Sequence, residues 1–351
     1  MHTPAPLRRA VALLAAVAVV ATAAACSSSG DDAAGTGGDG ELRDVTLMLN
    51  WTPNAQHAGI YAAQELGYYE DVGIDLEIVE PAETGVEPVV ASGEAEFGIA
   101  QAESLLPARA AGVPVVSIGT LLPHNDSSLM ALADAGISRP RDLEDHTYGG
   151  YGGSLETELI NRLVECDGGD PAKVDFVEVG NVDYLTGMKR DRFDFAWVFN
   201  GWDALRADTV DGVDVTTLPF TDYEDCIPDW YTPLLLTSES TVADDPELVR
   251  DFLAATARGY DLAISDPQQA ADLLLQAAPE LDRDLVEAST AYHAGRFADA
   301  GEPWGIEDAQ VWSDFGGFLV DAGLLEEAID TDAAFTNEFL PTDPAPSPPS
   351  S

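Results

Sequence analysis

The sequence predicts an α/β protein of two lobes, each a doubly wound sheet flanked by helices, with a ligand cleft at the hinge. Three observations lead there. The chain has 351 residues, more than one hydrophobic core usually serves. Short apolar or alternating runs recur between short amphipathic segments, the pattern of parallel β-α-β units. Two stretches echo each other: Ala91-Ser92-Gly93-Glu94-Ala95-Glu96-Phe97-Gly98-Ile99 and Met188-Lys189-Arg190-Asp191-Arg192-Phe193-Asp194-Phe195-Ala196. Both step from a helix end through a tight turn into an acid and an apolar strand.

Before the folded body comes an export signal. Arg8 and Arg9 precede an apolar, Ala-rich run from Ala10 to Ala25, too short for a comfortable membrane span. Ala23-Ala24-Ala25-Cys26 resembles a bacterial lipobox, so 1–25 is expected to be a lipoprotein signal peptide and Cys26 the lipidated first residue of the mature chain. Residues 26–41 are small, polar and Gly-rich, the composition of a flexible tether. At the other end 341–351, PTDPAPSPPSS, is expected to be a disordered tail.

Along the body, strands are predicted at 45–49, 74–78, 97–100 and 115–118, with helices at 57–66, 86–91 and 104–111. Gly67 and Gly93 stop the first two helices. A second set of units follows Ser138-Arg139-Pro140: strands near 147–149, 174–179 and 193–199, and helices from Ser154 and over 184–189. Leu155, Leu159, Ile160 and Leu163 share one face of the helix that begins at Ser154. A strand at 231–237 then leads into mostly helical sequence over 246–322. The lobes are accordingly expected as 42–135 for the first part of lobe one, 136–230 for lobe two, and 231–340 for a return to lobe one with the C-terminal helices.

Charge narrows the function. Asp and Glu number 63 against 16 Lys and Arg, for a net charge of -47, which would repel a nucleic-acid backbone. Cys166 and Cys226 remain once Cys26 is set aside. In an oxidising compartment an even pair favours a disulfide, the alternative being two buried thiols.

Ligands in such folds sit beyond the carboxyl ends of the strands. The loops there hold Trp51, Tyr151, Trp202, Tyr223, Trp230 and Tyr231, the amides of Asn54 and Asn200, His57, Ser154, and the acids Glu103, Glu156 and Asp203. None of these loops contains Lys or Arg, whereas sites for phosphate or sulfate usually recruit one or both. The inventory suits a neutral or weakly basic aromatic ring that stacks on side chains and donates to a carboxylate. Trp51, beside Asn50 and Pro53 in a polar turn, is demanded by no apolar period. His57 equally suits a role within its own turn, and Glu103 and Glu156 are also first-turn acids of the kind a helix dipole favours. Gly149-Gly150-Tyr151-Gly152-Gly153-Ser154 lacks the GK[ST] of a phosphate loop, although its amides could hold one polar group. No GxSxG, no HExxH and no metal-ligand spacing of histidines occurs, so neither catalytic residues nor a metal site is expected.

One stretch is specific: Leu47-Met48-Leu49-Asn50-Trp51-Thr52-Pro53-Asn54-Ala55-Gln56-His57, then Gly67-Tyr68-Tyr69 and Gly73-Ile74-Asp75. With Ser92 to Gly98, Gly112-Val113-Pro114-Val115 and Asp142-Leu143, it resembles the thiamine-pyrimidine precursor receptor family, the NMT1/THI5-like (SsuA/THI5-like) group that joins ABC-importer substrate-binding lipoproteins with a pyrimidine synthase. The resemblance implies a two-lobed type II periplasmic-binding-protein fold. The synthase branch would need a Lys for pyridoxal phosphate and a substrate His near Ala100 and Ser104, and that stretch has neither. Its Cys-rich iron segment is also missing, since only Cys226 stands in the comparable region.

The receptor branch implies a non-enzyme without cofactor, lipid-anchored outside the cell membrane, which passes a small heterocycle to an ABC permease and its ATPase. The implied ligand is a hydroxymethylpyrimidine or formylaminopyrimidine, with Trp51 stacking and Glu156 or Asp203 accepting from the ring amine. Riboflavin-like rings and nitrate, sulfonate or taurine are the competing solutes, and a signalling or adhesion lipoprotein the non-transport alternative.

Overall fold

The computed structural model describes residues 42–81, 84–180 and 182–349. The signal peptide, Cys26 and the tether lie outside them. Among the described residues ten strands form two sheets. The first contains β1 (Arg43–Met48), β2 (Ile74–Val79), β3 (Phe97–Ala100), β4 (Val115–Thr120) and the late strand β10 (Leu234–Ser238), in the order β2-β1-β3-β10-β4. The second contains β5 (Ser127–Leu132), β6 (Thr147–Gly150), β7 (Asp175–Glu178), β8 (Phe195–Phe199) and β9 (Val215–Pro219), in the order β7-β6-β8-β5-β9.

The wiring is the same in both. Three parallel strands are followed by one that runs antiparallel, β10 against β3 and β5 against β8. The carboxyl ends of β1, β2 and β3 are the ends at which the chain passes to the other lobe, and so are those of β6, β7 and β8. The expected two-lobed α/β architecture is therefore the observed one.

The lobe boundary falls earlier than the sequence reading put it. Ser127 pairs with Phe199 and Ser128 with Pro219, so 127–132 belongs to the second sheet and the first crossing is 121–126 rather than a point near 135. Ser127-Ser128 disguised this strand, because a polar start reads as loop although both serines are buried. The tail also departs from expectation. The Ala345 N–H donates to the Glu302 carbonyl at 2.9 Å, and Ala345 packs on the first-lobe core. Prolines on either side leave the unfolded segment little freedom to lose, so few contacts suffice to place it.

Helices Pro246–Ser265, Pro267–Ala277 and Arg283–Ala294 contribute to the first-lobe core. Each begins after an Asp whose carboxylate caps it, Asp245, Asp266 and Asp282. Phe252 of the first stacks on Phe97 of β3, centroids 3.8 Å apart. Helix Ala309–Asp321 packs where the lobes join, and its Phe315 stacks on Trp230 at 5.0 Å. A disulfide joins Cys166, the last residue of helix Ser154–Cys166, to Cys226 in the second crossing, with the Cα atoms 5.8 Å apart. Among the described residues no helix is long and apolar enough to cross a membrane.

Candidate functional site

The first-lobe wall is the turn that leaves β1. Asn54 caps the turn, its Oδ1 accepting from Gln56 N–H at 2.9 Å and its Nδ2 donating to the Thr52 carbonyl at 3.2 Å. His57 is wholly enclosed. Its Nδ1 faces the Asn54 N–H at 3.4 Å, which leaves Nε2–H to donate to Asn50 Oδ1 at 3.0 Å. Burial, reinforced by nearby His293, pushes the His57 pKa down to about 3, so the ring stays neutral. Asn54 and His57 are thus supports for the turn, and the side chain they present is Trp51, left 44% exposed.

The second-lobe wall starts at the Gly-rich turn after β6. Gly150 is needed there, since a Cβ would meet the Tyr148 ring at 2.4 Å and Glu156 Oε1 at 2.6 Å. Glu156 spends its carboxylate on this turn. Oε1 accepts from Tyr148 hydroxyl at 2.8 Å and Tyr151 N–H at 3.1 Å, and Oε2 from Gly153 N–H at 2.9 Å. These three bonds tie Glu156 to the turn. Ser154 is exposed at the start of the helix. Tyr151 stands out at 48% exposure, with Tyr184 close by.

The turn after β8 completes this wall. Asn200 is engaged at both ends, accepting from Ser128 Oγ at 2.7 Å and donating to the Asp126 carbonyl at 3.1 Å. Trp202 is partly buried and packs across the joint on the first-lobe core. Asp203 accepts from Phe199 N–H through Oδ2 at 3.1 Å, and burial pushes its pKa up to about 6. Tyr151 and Tyr184 both lie close enough to feel its charge. A carboxylate reluctant to ionise beside two phenols is suited to a donor that would pair with it.

Two further candidates are drawn into the frame. Tyr231 is buried, and its hydroxyl accepts from Asp308 N–H at 2.6 Å. Glu103 accepts from Trp230 Nε1 at 2.8 Å, with its pKa raised to about 7 by burial. The structure therefore brings Tyr151, Trp202 and Asp203 to one wall and Trp51 to the turn leaving β1. It adds Tyr184, which sequence reading used only as a helix start. The signal available was Asp183, whose side chain caps that helix and fixes Tyr184 at its first position. Hollows of about 650 Å³ beside Cys226 and about 750 Å³ along the hinge flank touch none of Trp51, Tyr151 or Asp203.

A family model described as NMT1/THI5 like matches residues 54–270. The chain belongs to the NMT1/THI5-like family. Among its relatives is the 4-amino-5-hydroxymethyl-2-methylpyrimidine phosphate synthase of Legionella pneumophila, 30% identical over 86% of this chain and 93% of that protein. The formylaminopyrimidine-binding protein of Halalkalibacterium halodurans is 26% identical over 85% of this chain and 91% of its own length. The riboflavin-binding protein RibY of Chloroflexus aurantiacus is 31% identical over 86% and 87%. Among solved structures, the alkanesulfonate-binding protein SsuA of Xanthomonas axonopodis pv. citri superposes with a TM-score of 0.63 at 16% identity, over 85% of this chain and 99% of that one. That likeness confirms the periplasmic-binding-protein fold.

Proposed function

We propose that this NMT1/THI5-like chain is the extracytoplasmic solute-binding component of an ABC importer and captures a small amino-substituted aromatic ring, a pyrimidine of the thiamine-precursor kind. The observation that carries the reading is the pair of exposed aromatics, Trp51 and Tyr151, on strand-exit turns of opposite lobes, with Asp203 behind Tyr151. Leaving two large rings in water is unfavourable unless something stacks on them. Closure of the lobes around a flat ring would cover both, and the Asp203 carboxylate would accept from its amine. The formylaminopyrimidine-binding relative supports this ligand class. RibY favours a second reading, a riboflavin-like ring in the same stack.

The synthase relative raises the question of catalysis, and the residues do not fit pyridoxal phosphate. Forming an aldimine takes a primary amine. The lysines of this chain are Lys173 and Lys189. Lys173 is paired with Glu144 on an outer turn at 2.6 Å, and Lys189 ends the short helix Tyr184–Lys189, exposed to solvent. Where the synthase Lys would stand, Ala100 is buried, and Ser104 Oγ donates to the Gln101 carbonyl at 3.0 Å. Capture without chemistry is the reading these residues support. Lipidation at Cys26 would hold the receptor at the outer face of the membrane, beside its permease.

A thermal-shift screen of the mature chain against aminopyrimidine precursors, riboflavin, taurine, nitrate and an alkanesulfonate tests the reading. A ligand at one hundred times its Kd stabilises by about 2.7 kcal/mol and raises the midpoint. An aminopyrimidine should give the largest rise. A rise with the sulfonate or nitrate alone would defeat the proposal.

A further inference from the structure

Three segments meet at the hinge: the first crossing 121–126, the π-helical turn Asn200–Ala204, and helix Arg283–Ala294. Asp126 lies at their junction, only 6% exposed. Its Oδ1 accepts from the Tyr292 hydroxyl and its Oδ2 from Gly201 N–H, both at 2.7 Å. Its carbonyl accepts from Asn200 N–H at 2.9 Å and Nδ2 at 3.1 Å. Ser289 Oγ donates to the Gly201 carbonyl from the same helix.

The helix also closes on the turn sterically. A Cβ at Gly201 would stand 2.3 Å from His293 Cε1, so only glycine lets the backbone approach the imidazole this closely. His293 is held in turn, its Nδ1–H donating to the Ser289 carbonyl at 2.9 Å. Its Nε2 stands 3.6 Å from Asp126 Oδ2, beyond hydrogen-bond reach. Arg296 donates to the Tyr292 carbonyl at 2.8 Å and lies over the Tyr292 ring at 3.7 Å, which fixes the phenol from the far side. At the start of the turn the Asn200 N–H is therefore held by the Asp126 carbonyl, the Gly201 N–H by the Asp126 carboxylate and the Gly201 carbonyl by Ser289, and the next two residues are Trp202 and Asp203.

We infer that Asp126, oriented by Tyr292, is a positioning residue that fixes the turn carrying Trp202 and so sets the direction in which Asp203 meets the ligand, without touching the ligand itself. The inference rests on the proposed site at Asp203. It gives a reason for such a costly arrangement: a carboxylate buried at a hinge, its oxygens assigned to partners on two different elements. The same helix packs on the first-lobe turn Ala55–His57, so both ligand walls are referred to one rigid element.

Tyr292→Phe removes one hydroxyl and no volume, and is the variant of choice. Two readouts are taken on the full mature chain. The first is amide hydrogen exchange without ligand, where exchange at 200–204 should speed about tenfold while the sheets stay as in the parent. The second is the affinity for 4-amino-5-hydroxymethyl-2-methylpyrimidine relative to its analogue lacking the 4-amino group. The preference for the amine should fall about tenfold, because a misdirected Asp203 loses the donor that only one of the two ligands carries. Ser289→Ala should reproduce the local exchange. Exchange that is unchanged, or that rises evenly over the whole chain, would overturn the inference, as would an intact preference for the amine. If the parent chain binds neither pyrimidine, the ligand reading fails, and the exchange measurement still decides the role of Asp126.

Discussion

Two strand-exit turns face the cleft with similar letters, Asn50-Trp51 in the first lobe and Asn200-Gly201-Trp202 in the second, and they dispose of their indoles in opposite ways. In the first, a neutral histidine holds the asparagine and the indole is left in water. In the second, the asparagine is tied to Ser128 and Asp126, glycine admits a histidine against the backbone, and the indole is packed on the other lobe. On the proposed function, the difference separates a residue kept for a ligand from one kept for the joint. Trp51 answers to no packing need, whereas Trp202 serves the fold and thereby places Asp203.

Substitutions can break that contrast. Trp202→Ala should have the largest effect on folding, about 2–3 kcal/mol lower stability in denaturant melts, because it empties a cross-lobe contact. A stability equal to the parent would mean that Trp202 is free for ligand, like Trp51. Gly201→Ala should follow at about 1–3 kcal/mol, since the added methyl overlaps the His293 ring and something must shift. Trp51→Ala should stay within about 0.5 kcal/mol of the parent in stability, as an exposed site does. In calorimetric titration it should weaken an aromatic ligand about tenfold or more, a change of about 1.4 kcal/mol. Unchanged affinity would take Trp51 out of the site.

Much of this was legible in the sequence, for identifiable reasons. Strands β1 to β4 and β6 to β8 show through because apolar alternation and flanking glycines survive any tertiary context, and Trp51 shows through because nothing periodic explains it. What was hidden depends on partners distant in the chain. β5 begins with two serines that are polar by letter and buried by position. Glu156 reads as a cleft acid until Tyr148 and two amides are seen to occupy it. His57 reads equally as contact or support, and burial decides for support. No local signal could assign Asp126, whose partners lie 75 and 166 residues away.

A smaller effect sharpens the division between site and frame. Asp203, Glu103 and Glu307 have pKa values raised to about 6, 7 and 8, in each case by burial first. The folded chain then holds protons that the unfolded chain has released, so stability should fall as pH rises from about 4 to about 8. Glu307 is 3% exposed, and its Oε2 has no partner among the described residues. Glu307→Gln should flatten the upper part of that slope, and an unaltered slope would contradict the assignment. Ligand affinity should run the other way. The ionised Asp203 carboxylate accepts more strongly from a ring amine than the protonated acid does, so binding should weaken as pH falls through about 6. That loss should be absent from Asp203→Asn.

The most direct test is to incubate the mature chain with an equimolar aminopyrimidine, separate protein from free solute, denature the complex and weigh what is released. A receptor that captures without chemistry returns one molecule per chain with its mass unchanged. A released molecule of altered mass, or no bound molecule at concentrations that saturate the formylaminopyrimidine-binding relative, would contradict it.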